Sequence, residues 1–169
     1  MTSESTFTEY ELAALDKYRY RLTQPSSGTI LIGMPMFPGS FRVHPRITAK
    51  IRRMYSVNDF EECPEHEHFY EYSVYVGDTM VLYESVDACG GEALAELTEE
   101  CFRVMEAVSE YINGNDREGA LDRMMVSVNA RPVVERLIKR ACKDDLVDKI
   151  RINLLYLYQL TFAVGGPAR

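Results

Sequence analysis

The sequence predicts an α+β fold dominated by helices, with five or six helices packed around a β-hairpin at about 67–86 and one further short strand at about 29–34. Three observations predict it. The runs EHFYEYSVYV and TMVLYESV, rich in Tyr and Val, flank Gly77-Asp78, and a glycine at the first position of a two-residue loop suits a type II′ turn. Leu94, Leu97, Cys101, Val104, Met105, Val108 and Ile112 recur at helical spacing between the breaks Gly90-Gly91 and Asn113-Gly114. The composition, 46% hydrophobic and 27% charged over 169 residues, is that of one globular domain spanning 1–169 with flexible ends at 1–6 and 165–169. A chain of this size buries roughly two-thirds of its unfolded surface and needs neither disulfides nor a structural metal to fold.

The remaining elements follow in order. Thr8 and Glu11 form a capping box, with Phe7 and Leu12 placed as a hydrophobic staple, and Leu12, Leu15, Tyr18 and Leu22 line one face of a helix that Gln24-Pro25 stops. TILI starts the short strand, which Gly33 and Pro35 end. A second helix is expected from Pro45, keeping Ile47, Ile51, Met54 and Tyr55 on one side and Arg46, Lys50, Arg52 and Arg53 on the other. Past residue 114, Asn115 with Glu118 can cap a short helix through Leu121, Met124, Met125 and Val128, although MMVSV also reads as a strand. Pro132 opens a helix that turns Val133, Val134, Leu137, Ile138 and Ala141 inward. A last helix at about 145–163 carries apolar residues on so many sides that it is either a central core helix or half of an interface.

Charge is unevenly spread. Residues 1–58 hold eight Lys/Arg and four Asp/Glu, residues 59–122 two and eighteen, and residues 123–169 nine and four, which gives +4, −16 and +5 within the net −7. An acidic middle between basic ends argues against a nucleic-acid binder and for contacts between blocks, within the fold or across a subunit boundary. The four cysteines, 63, 89, 101 and 142, have no CxxC spacing and are expected as thiols, with Cys101 and Cys142 buried on helix stripes. The N-terminal stretch lacks a basic and apolar leader, and no apolar run reaches the roughly 20 residues that span a bilayer, so a cytoplasmic location without a membrane is expected.

Two candidate sites emerge. If the hairpin register runs back from Val76 opposite Thr79, His68 faces Asp87 and His66 faces Cys89, on one face of the sheet and within reach of a tetrahedral zinc ion; Cys63 could replace Asp87. The plainer reading has these histidines at a frayed hairpin end, where a bulge would undo the register. The same register opposes Glu71 and Glu84, a like-charge pair that a basic side chain from 46–53 could relieve. The second candidate is a partner-binding surface made of Arg42, Arg46, Lys50, Arg52 and Arg53 together with Leu154, Leu157 and Tyr158 of the last helix. NGNDREGALDRM resembles a calcium loop but puts Met125 where the bidentate glutamate belongs. No phosphate-binding, nucleophile-elbow or zinc-protease motif is present, and nothing demands an enzyme. The expected function is a non-enzymatic protein–protein interaction module, self-associating or a subunit of a larger assembly, with no cofactor. The alternative is a metal-binding protein with a zinc-type site at the base of the hairpin, or a metal-dependent hydrolase built on it.

Overall fold

The computed structural model describes residues 2–16, 22–33, 46–57, 66–114 and 116–144, with the side chains of Val57, His66 and Asp144 excepted. Among them are six strands and four helices: β1 Thr2–Glu4, α1 Glu9–Ala13, β2 Leu22–Ser26, β3 Thr29–Ile32, β4 Ile47–Val57, β5 His66–Val76, β6 Thr79–Val86, α2 Gly91–Asn113, α3 Arg117–Arg123 and α4 Arg131–Asp144. The strands form one antiparallel sheet in the order β2-β3-β4-β5-β6, with β1 also pairing β4. The helix-dominated arrangement around a hairpin is therefore corrected. Four helices accompany a six-stranded antiparallel sheet, in which the expected hairpin supplies only two strands.

The largest revision lies at β4. Ile47, Ile51 and Met54 fit a helical spacing, but Ile47, Ala49 and Ile51 also alternate, and the strand reading is the observed one. Every residue of β4 has a partner on β5, from Ile47 opposite Val76 to Val57 opposite His66. On its other side β4 is shared end to end: β3 pairs with residues 49–52 and β1 with 54–56. Thr2–Glu4, within the end expected to be flexible, are thus part of the sheet. The first helix is likewise shorter than expected, because the segment around Gln24-Pro25 is β2. Proline is tolerated there because β2 is an edge strand, whose outward N–H groups need no partner.

All four helices lie with one face of the sheet. Ile30, Ile32, Ile47, Ala49, Ile51, Tyr72, Val74 and Val76 point to that side and bury against the stripe of α2, in which Leu94, Leu97, Cys101, Val104, Met105 and Val108 are all buried as the spacing requires. Val134, Ile138 and Ala141 of α4 complete the same core. α3 is capped by Asp116, whose carboxylate accepts from Gly119 N at 3.1 Å, and Asn115 lies outside the described residues. Residues 124–128 are neither helix nor strand. Met125 has a left-handed backbone (φ 58°), and Met125 and Val128 are exposed. The apolar segment 145–163, with Leu154, Leu157 and Tyr158, lies outside the described residues, as do Arg42, Cys63 and the end 165–169.

The turn between β2 and β3 is crossed closely by the chain leaving β1. A Cβ on Gly28 would stand 2.4 Å from Glu4 Cγ and 2.5 Å from the Ser5 carbonyl oxygen. Gly28→Ala is expected to cost about 1–3 kcal/mol, since a backbone atom must give way, whereas Ser27→Ala next to it should change stability by less than about 0.5 kcal/mol. Urea denaturation of the two variants checks this, and an unchanged midpoint for Gly28→Ala would remove the close crossing.

Candidate functional site: a charged sheet face and a buried polar knot

Strand alternation sorts the basic residues differently from a helix. In a helix Arg46, Lys50 and Arg53 would share a side; in β4 Lys50 and Arg52 point away from the helices and Arg53 points under them. The two faces have distinct chemistry.

Under the helices, α1 is tied to the sheet by Glu11, which is 1% exposed. Its Oε1 accepts from Thr8 N at 3.0 Å, half of the expected capping box; Glu11 N donates to Thr8 Oγ1 at 3.1 Å, the other half. Arg53 Nε stands 2.8 Å from the same Oε1, a close ion pair whose N–H is not aimed well enough to count as a hydrogen bond. Glu11 Oε2 accepts from the buried Tyr70 hydroxyl and, at 3.6 Å, from the Cys89 thiol. Tyr70 Oη in turn accepts from Gly90 N at 2.9 Å, so the knot reaches the start of α2. Arg53 Nη1 donates to Ser5 Oγ at 2.9 Å and lies 3.0 Å from His68 Nδ1. A guanidinium only donates, so Nδ1 is the acceptor and a neutral imidazole carries its proton on Nε2. The Tyr55 ring lies 5.1 Å from that of His68.

The titration of these groups follows from the contacts. Burial acts to raise Glu11, but the hydrogen bonds from Tyr70 and Thr8 and the charge of Arg53 outweigh it and hold the carboxyl below its ordinary 4.5. Burial, with the Glu11 carboxylate beside it, pushes the Tyr70 phenol up. A carboxylate engaged at both oxygens and held ionised is a poor base, and the thiol beside it donates to it. The chemistry is that of a structural tie.

The opposite face carries Thr29, Lys50, Arg52, Glu71, Ser73, Tyr75, Met80 and Tyr83, which with Glu4 line a groove of about 310 Å³. Arg52 lies between two carboxylates, 3.7 Å from Glu4 and 3.8 Å from Glu71. The Lys50 ammonium lies 5.5 Å from the centre of the Tyr75 ring. Met80 and Tyr83, on β6, are 43% and 56% exposed. No described helix packs on this side.

The expected hairpin register holds only next to the turn. Val76 faces Thr79 and Tyr75 faces Met80, but a bulge then shifts the ladder, so that Val74 faces Leu82 and Glu71 faces Ser85. The ladder ends at Tyr70 opposite Val86, before Asp87 or Cys89. His68 faces Tyr55 and His66 faces Val57 on β4, rather than Asp87 and Cys89. The like-charge pair of Glu71 and Glu84 is likewise not formed: Arg52 meets Glu71, as a basic residue was expected to, and Tyr72 donates to Glu84 at 2.7 Å. Among the described residues no three His, Cys, Asp or Glu side chains are grouped to hold a metal; Cys63 and the His66 side chain lie outside them.

The structure instead joins residues from both sequence-derived sites, Cys89, His68 and Arg53, around Glu11 and Tyr70. Glu11 was legible as a capping residue, but its second oxygen left no trace in the spacing. Cys101 is buried, Cys142 half-buried and Cys89 exposed, all as free thiols. No described helix is long and apolar enough to cross a membrane. In comparisons with known proteins the chain matches no family model, no curated protein and no solved structure.

A carboxyl with a lower pKa in the folded than in the unfolded chain stabilises the fold fully above the unfolded value, and that contribution is lost as the pH falls through the folded value. Stability is therefore expected to drop on acidification from the ordinary 4.5 downward. In Glu11→Gln that part of the pH dependence should disappear, on top of a lower stability at neutral pH. Urea midpoints across the acid range check it; parallel profiles for the two proteins would contradict it.

Proposed function

We propose that this chain is a non-enzymatic protein–protein interaction module, a self-associating protein or a subunit of a larger assembly, and that the sheet face on which no described helix packs is its contact surface. The observation that carries the reading is the sidedness of the sheet. One face is spent on α2 and α4, while the other offers Tyr83 and Met80 exposed beside Lys50, Arg52 and Glu71. Aromatic and methionine side chains ringed by charges have the composition of an interface core with a polar rim. Glu11, by contrast, has both oxygens engaged inside the chain, which supports a scaffold role for the buried knot.

Native mass spectrometry of the gently purified full chain tests this. The expected result is a species larger than one 19.4 kDa chain, carrying either a second copy or another polypeptide. The double variant Lys50→Ser, Met80→Ser should bind at least about tenfold more weakly while its own stability moves by no more than about 1 kcal/mol. A lone chain at every concentration, or a variant that assembles like the parent, would end the reading.

A further inference from the structure

We propose that a second copy of this chain pairs with the edge of β6 that no described strand occupies, antiparallel and about a two-fold axis at Tyr83, so that two sheets join into one. This inference rests on the interaction reading above and names its partner.

The two edges of the sheet differ. β2 carries Pro25, has a register shift between Thr23 and Ser26, and is exposed from Thr23 to Ser26, all features that blunt an edge. β6 has neither proline nor lysine along TMVLYESV, and among the described residues it pairs only with β5. Its one charge, Glu84, is drawn toward the core side by the Tyr72 hydroxyl. The bulge lies near the turn and leaves the ladder regular from Leu82 to Val86. An edge of this kind is a template for another strand.

The occupant follows from symmetry and charge. An axis perpendicular to the sheet keeps faces together, so paired residues must lie on the same side. An axis on Glu84 would set two carboxylates against each other. An axis on Tyr83 sets Tyr83 against Tyr83 of the second copy on the face away from the described helices, and Leu82 against Glu84 on the helix side. Val81, the bulged residue, is buried on the helix side and stays outside this ladder. No like charges are opposed, and the exposed phenol gains an aromatic cross-strand neighbour. The two faces away from the described helices then adjoin.

Hydrogen exchange of the full chain, dilute and concentrated, reads this directly. The outward-pointing amides between Leu82 and Val86 are expected to exchange more slowly as concentration rises, in step with the dimer mass. Tyr83→Lys sets two cations face to face and should weaken self-association at least about tenfold; Thr23→Lys on the opposite edge should leave it unchanged. If Tyr83→Lys fails to fold, the exchange of the parent chain decides alone. Dimers whose β6 amides ignore concentration would overturn the edge contact but leave the interaction reading standing. A chain that stays single when concentrated would overturn it as well, and the fate of the broader reading would then turn on whether another polypeptide is bound through Lys50 and Met80.

Discussion

A buried carboxylate governs this fold. Glu11 is removed from water on the first turn of α1, and an ionised group in that position is tolerable only if it is hydrogen-bonded and paired with an opposite charge. Thr8, Tyr70 and Cys89 donate to it and Arg53 supplies the charge, each from a different part of the chain. Arg53 is central in its backbone as well: its carbonyl accepts from Ser5 N at 2.8 Å and its N–H donates to the Gly28 carbonyl at 2.9 Å. That one residue of β4 therefore joins the end of β1, the turn before β3 and the helix above them. The Phe7 ring stacks with that of Tyr70 at 6.2 Å between centroids.

The knot gives the sheet its two unlike faces. With α1 held over the β4–β5 pair and α2 beginning at Gly90, where Tyr70 accepts the backbone N–H, the helices have one side on which to pack. The far face keeps its charges in a local mosaic, Arg52 between Glu4 and Glu71 and Lys50 over Tyr75, instead of spending them on the core. Cross-face ion pairs of this exposed kind contribute little to stability, on the order of 0–1 kcal/mol each.

Much of the helical layer was legible in the sequence. The α2 stripe, the capping box at Thr8, Pro132 inside the first turn of α4 and the Gly77-Asp78 turn all came through local rules, because those residues answer to local chemistry. β4 did not, and the reason is specific. Its alternation of Ile47, Ala49 and Ile51 runs into Arg53 on the inner face, where a charge is allowed only because Glu11 waits forty-two positions earlier (53 − 11). A buried ion pair thus disguised a strand as a basic amphipathic helix, and with it the sheet. The hairpin register failed for a similar reason: the bulge beside Val81 buries that residue and passes every later residue of β6 to a new partner, something no residue-type rule signals. The pairing of Arg52 with Glu71 was foreseeable from charge alone, although the element that delivers it was not.

That a polar tie, and not apolar contact alone, fastens α1 to the sheet is the claim on which the two-faced architecture rests. A double-mutant cycle between Glu11→Gln and Tyr70→Phe, read by urea denaturation at neutral pH, tests it most directly. The two residues must be coupled by about 1 kcal/mol or more, because Glu11→Gln removes the charge that strengthens the bond from Tyr70 and Tyr70→Phe leaves the buried carboxylate short of a donor. Additive effects, with no coupling beyond error, would contradict it.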